Sequence, residues 1–198
     1  MRKFILALLF ISSFCFGQKK HENELQVKFD LLINYLSSED WGKSEKLSKQ
    51  LLDMTDEDDT METQTKVLRY MYIYSTAGLL NEKKLSKEKA LKNITFLKSK
   101  EMIMPSHLFN SNCYSNCTNL NDETPDTFFT GVNNKNATQI FSFEYVKIKN
   151  GIKESKSELE GKYITLRGVL NEISVEGNIL PRFKLKFIDG DYIIKDAK

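Results

Sequence analysis

Cys113 and Cys117, in the stretch SNCYSNC, are the residues of this chain with the most specific chemistry open to them, and His107 lies a short way upstream. Two thiols at this spacing can clip a metal, cycle as a redox centre or close a disulfide. A structural zinc site takes four ligands, and His107 brings the set only to three. A thioredoxin-like centre uses Cys-x-x-Cys beside a helix N-terminus that lowers the thiol pKa. Here the spacing is one residue longer, and the surroundings, FNSNCYSNCTN, read as loop. The expectation is a Cys113–Cys117 disulfide that shapes a surface loop, with no metal and no cofactor.

The opening residues set the redox compartment. In MRKFILALLFISSFCFGQ, Arg2 and Lys3 precede an uncharged run over residues 4–17, the layout of a secretory signal peptide cut before Gln18. The chain is therefore expected to be exported, periplasmic or secreted, where cysteines pair. The alternative keeps Cys15 as a lipid-bearing anchor, but Phe14 is bulky where such signals usually carry a small residue. No later apolar run is long enough to span a bilayer, so no transmembrane segment is expected in the mature chain.

Charge and motifs narrow the function classes. The chain has 29 basic and 27 acidic side chains, and loss of Arg2 and Lys3 with the signal leaves 27 of each. A nucleic-acid binder normally carries a net basic field, so nucleic acid is not an expected partner. The two histidines, His21 and His107, do not form a zinc-protease pair: HENEL lacks the second histidine. A Gly-x-Ser-x-Gly elbow and a phosphate-cradling glycine loop are also missing from the sequence.

Three compositional regions follow residue 17. Residues 18–104 are rich in Leu, Lys, Glu and Asp, which favours helix. Leu25, Phe29, Leu32, Ile33 and Leu36 make one apolar stripe; Leu47, Leu51, Leu52 and Met54 make a second. Val67, Leu68, Met71, Tyr72, Tyr74 and Leu79 mark a third helix with Asp59 as N-cap and Glu62 at the reciprocal position. Ser86 caps a fourth that buries Ala90, Leu91, Ile94 and Leu97. Within this region LLINYLSSEDWGKSEKLSKQL resembles part of a tetratricopeptide repeat, with Leu31 and Tyr35 on the first helix, Trp41 at the turn, and Ser44 and Leu51 on the second. That resemblance implies a protein-interaction scaffold.

Charged runs invite metal or partner readings. Asp53, Asp56, Glu57, Asp58, Asp59 and Glu62 could supply oxygen ligands to calcium, but no glycine provides the sharp turn of a calcium hand. Acidic residues ahead of a helix are favoured by its dipole alone. Lys83, Lys84, Lys87, Lys89 and Lys92 read as a solvated face.

Residues 105–138 are rich in Asn, Ser and Thr and read as a long connector carrying the disulfide loop, pinned by Phe109, Tyr114, Phe128 and Phe129. Residues 139–198 alternate apolar and polar residues, as strands do. Phe141, Phe143 and Tyr145 are expected on one strand face and Ile140, Val146 and Ile148 on the other. Residues 155–160 suggest a helical turn, Gly168 a bend, and DGD, residues 189–191, a tight hairpin. Phe183, Leu185 and Phe187 should face inward, with Arg182, Lys184 and Lys186 outward. GKYITLRGVLNEI followed by a hairpin looks like the opening of an OB-fold barrel, a likeness that makes the basic row the candidate ligand face. A lysine-protected strand edge explains the same row without a ligand.

The expected fold class is α+β: antiparallel helical hairpins, tetratricopeptide-like, followed by a small antiparallel sheet or incomplete OB-like barrel. The functional expectation is an exported, non-catalytic interaction protein with a protein partner. The alternative is an enzyme or small-ligand-binding protein with its site between the helical and β domains.

Overall fold

The computed structural model describes residues 21–56 and 58–196, with side chains from residue 24. The signal peptide, Cys15, the cut before Gln18 and Glu57 lie outside the described residues, as does the side chain of His21. Four helices come first: α1 (His21–Ser38), α2 (Trp41–Thr55), α3 (Glu62–Asn81) and α4 (Lys87–Ile94). Their ends have local causes. Glu39 adopts φ 58°, which ends α1, and Asp40 then accepts the Lys43 N–H as the N-cap of α2. Ser86 caps α4 through the Lys89 N–H. At α3 the cap differs from the expectation: Asp58, in extended conformation, accepts from Thr60 and starts a 3-10 turn over Asp59–Met61 that leads into the helix.

Six strands follow: β1 (Glu101–Leu108), β2 (Thr118–Leu120), β3 (Thr127–Asn133), β4 (Ile140–Ile148), β5 (Tyr163–Glu176) and β6 (Arg182–Lys195), with a short α5 (Lys156–Leu159) before β5. They form one curled sheet in the order β1-β5-β6-β4-β3-β2. The sheet is mixed, because β4 and β6 run parallel. A bridge between Phe109 and Thr118 links the ends of the two edge strands, so the sheet is a partial barrel. The protein is thus α+β with helices first and a partial barrel second.

Three local expectations need correction. The stretch read as an element-free connector, residues 105–138, holds the end of β1 and all of β2 and β3. Pro105 is tolerated in β1 because that strand is at the sheet edge and its register shifts between Ile103 and Ser106, where no ladder N–H is needed. DGD is not a hairpin. Arg167 pairs Asp191 and Val169 pairs Ile188, so Gly168 alone faces Asp189 and Gly190 in a bulge within a continuous β6. Phe141 leaves the Phe143 face: the pairs Val132–Ser142 and Asn133–Ile140 make it the extra residue of a bulge, and it packs against Trp41 and Tyr74.

Helices and sheet share one apolar core. α3 packs on β1, β4 and β6, and the inward Phe183, Leu185 and Phe187 belong to the same buried cluster as Leu51, Leu68 and Leu80. Trp41, 2% exposed, sits with its ring 5.3 Å from that of Tyr74 and 5.1 Å from that of Phe141. The compositional boundary at residue 104 falls inside β1.

Candidate functional site

The outer face of the sheet collects aromatic and basic side chains from three strands and one loop. On β6, Arg182, Lys184 and Lys186 alternate with the buried Phe183, Leu185 and Phe187, so strand periodicity sends all three to the outer side. Phe143 and Tyr145 of β4 pair with Lys184 and Lys186, and Phe129 of β3 pairs with Tyr145. The Arg182 guanidinium lies 4.6 Å from the Phe143 ring centre, and the Lys184 ammonium 5.5 Å from that of Tyr145. Two of the cations have carboxylate neighbours: Lys184 pairs with Glu176 at 3.2 Å and Lys186 with Glu172 at 2.7 Å. The face is therefore aromatic, with two of its three cations paired to carboxylates and Arg182 stacked on a ring.

Tyr114 completes this face from the disulfide loop. Its ring lies 5.5 Å from Phe129 and 5.6 Å from Phe143, yet the residue is 63% exposed. Cys113 and Cys117 are joined as a disulfide. The loop is laid down on β3: the Asn116 N–H donates to the Gly131 carbonyl at 2.7 Å, and the Asn133 N–H donates to Asn116 Oδ1 at 3.1 Å. Gly131 permits this approach, since a Cβ there would lie 2.5 Å from the Tyr114 carbonyl oxygen. The disulfide holds Tyr114 over the aromatic face. Replacing both cysteines with serine is expected to lower stability by about 2 kcal/mol, the loop-entropy contribution of so short a ring, measured by urea unfolding. A loss above about 4 kcal/mol would show that the bridge supports the core as well as the loop.

Other titratable groups with displaced protonation lie away from this face. Glu144 of β4 is 2% exposed. It accepts hydrogen bonds from Tyr70 of α3 at 2.9 Å and from Ser142 at 3.2 Å. Burial pushes its carboxyl from 4.5 up to about 7, against the pull of those two bonds. Burial likewise pushes the Tyr70 hydroxyl well up, and the neighbouring Glu144 adds to it. His107 of β1 is held down at about 4 by burial, opposed by a hydrogen bond to the Asn116 backbone. The Asn116 N–H is already given to Gly131, so the imidazole N–H meets the Asn116 carbonyl. Nε2 then remains as a buried acceptor without a partner.

Among the described residues no group of three or more His, Cys, Asp and Glu side chains converges as a metal site. The acidic run ahead of α3 is taken up in helix and ion-pair roles: Asp58 caps, Asp56 pairs with Arg69, Glu62 with Lys66, and Asp53 with Lys49. No helix among those residues is long and apolar enough to cross a membrane. Protein-family models, curated proteins and solved structures were all compared with the chain, and none matches.

The sequence places Arg182, Lys184 and Lys186 on the outer side of β6, where they lie, but their aromatic neighbours as a group, and Glu144, were missed. A signal for Glu144 was present. Val146 and Ile148 mark the core face of β4, and the period of two places Ser142 and Glu144 on that same face. A carboxylate there must find hydrogen bonds inside.

Proposed function

We propose that this is an exported, non-catalytic binding protein that takes a polypeptide partner on the outer face of its sheet. One observation carries the reading: Tyr114, Phe129, Phe143, Tyr145 and Arg182 are gathered on the solvent side of the sheet, with the disulfide loop holding Tyr114 in place. Aromatic rings and arginine supply much of the energy at interface centres: the rings bury large area with few rotors to immobilise, and the planar guanidinium stacks and donates several hydrogen bonds. The glutamates beside Lys184 and Lys186 give the rim both signs of charge, which suits a polypeptide better than a polyanion. Export is supported by the signal-like residues 1–17 together with the disulfide.

The rival reading, an enzyme or small-ligand site between helices and sheet, calls for perturbed polar groups opening into a pocket. Glu144, whose protonation is well displaced, is buried, and His107, displaced the other way, is part-buried with its Nε2 enclosed. Neither lines the open groove beside β6. Capture of a partner from envelope extract by immobilised protein tests the proposal. Tyr114→Ser combined with Arg182→Ala should reduce capture at least about ten-fold, as loss of two anchors does, with the circular-dichroism spectrum unchanged. Equal capture by this variant would remove the face from the account.

A further inference from the structure

β6 has an open edge. β4 accompanies it only as far as the pair Ile148–Gly190, whereas β5 continues to pair with it through Lys195. Residues 191–195 therefore have a strand on one side and, on the other, a groove of about 670 Å³ bounded by Lys149, Lys153 and Glu154. The backbone direction along this edge follows from one bond. The Lys149 N–H donates to the Gly190 carbonyl, so Gly190 points away from β5. Alternation along the strand then turns the peptide groups of Tyr192 and Ile194 outward as well. The Tyr192 N–H is held by its neighbour's carboxylate, Asp191 Oδ1, at 2.8 Å.

We propose that this edge pairs with the same edge of a second copy of the chain, antiparallel and centred on Ile193. The segment Asp191-Tyr192-Ile193-Ile194-Lys195 is self-complementary about that centre. Asp191 meets Lys195 of the second copy, Ile193 meets Ile193, and Tyr192 meets Ile194; the Ile194 N–H donates to the Tyr192 carbonyl across the pair, and the Tyr192 N–H exchanges Asp191 Oδ1 for the Ile194 carbonyl. Opposite charges and apolar pairs directly across a ladder are each favourable. Sliding the register two residues either way sets Ile193 against a charge, Asp191 or Lys195. A one-residue slip would carry the inner residues to the outer side. Asp191, Ile193 and Lys195 are exposed, and Ile193 is 45% exposed, which is the liability that strand pairing removes. Asp191 also pairs with Arg167 on the same face, at 2.7 Å; this bond leaves the carboxylate at the edge where Lys195 of the second copy arrives.

Charge exchange tests the register. By sedimentation velocity, the wild-type protein should shift from monomer to dimer as concentration rises toward the millimolar range. Asp191→Lys and Lys195→Asp should each remain monomeric, because each alone sets like charges across both ends of the pairing. An equimolar mixture of the two variants should form a heterodimer at least about ten-fold more tightly than either self-associates, since mixing restores both opposite-charge pairs. Circular dichroism reports whether each variant keeps its fold, and Ile193→Lys supplies an independent monomeric variant. A wild type that stays monomeric at millimolar concentration overturns the proposal. So does a mixture that associates no better than its components. If the wild type stays monomeric and instead takes up an extended peptide unrelated to residues 190–195, the edge belongs to a foreign segment and the homodimer is rejected.

Discussion

Glu144→Gln is expected to make the protein about 3 kcal/mol more stable at pH 8 while leaving its stability near pH 4.5 almost unchanged. The folded carboxyl titrates at about 7 against an ordinary 4.5. As pH rises through that window the unfolded chain releases a proton that the folded chain retains, so stability is lost at about 1.4 kcal/mol per pH unit. Glutamine keeps a carbonyl oxygen for Tyr70 and Ser142 and has no charge to bury. His107 acts in the opposite sense. Its folded pKa of about 4, below the ordinary 6.5, means that stability is lost as pH falls from 6.5 toward 4.

In the wild type these two slopes overlap between pH 4.5 and 6.5 and offset each other, since folding takes one proton from His107 and keeps one on Glu144. The Gln variant should therefore uncover a stability that rises from pH 4 to 6.5 and then levels. His107→Gln should uncover the reverse, a fall from pH 4.5 to 7. Urea unfolding at half-unit pH steps separates the cases. A Glu144→Gln profile within about 0.5 kcal/mol of wild type at pH 8 would mean that Glu144 is not the buried acid described.

Gly78→Ala is expected to cost about 2 kcal/mol although alanine is the better helix former. Gly78 lies within α3, and a Cβ there would be 2.2 Å from Trp41 Cδ2. Trp41 has little room to retreat, being packed edge-on against Tyr74 and Phe141. Alanine adds about 1 kcal/mol of helix propensity, whereas forcing apart a close-packed aromatic site costs on the order of 3 kcal/mol. Gly42→Ala on α2 is the control: nothing lies within 4 Å of its Cβ, and it should stabilise by up to about 1 kcal/mol. Equal effects from the two substitutions would show that Trp41 does not lock α2 to α3.

The helices were legible because each has an apolar stripe and a local stop, and Ser86 and the turn after Ser38 are found where the sequence puts them. β6 was legible for the same kind of reason: Phe183, Leu185 and Phe187 alternate strictly with cations. What was hidden depends on distant partners. Thr118, Thr127 and Thr130 look like loop residues until they are buried in β2 and β3, where the Thr118 and Thr130 hydroxyls meet at 3.2 Å. Asp189 and Gly190 carry turn chemistry in either case, and only the pairing of Arg167 with Asp191 shows a bulge in place of a hairpin. Of the outer face, the basic row follows from period two. Its aromatic half needs the β3–β4 register and a disulfide loop folded over Gly131, neither of which is written in local spacing.

The central claim is that the partner is bound by the outer face of the sheet. Site-directed photo-crosslinking tests it most directly, with a benzophenone amino acid placed in turn at Tyr145, on that face, and at Val27, an exposed position of α1. The Tyr145 position should give one dominant crosslinked polypeptide, lost when Arg182→Ala and Tyr114→Ser are added, and the Val27 position should give none of it. The same polypeptide crosslinked from Val27 and not from Tyr145 would put the binding surface on the helices and contradict the account.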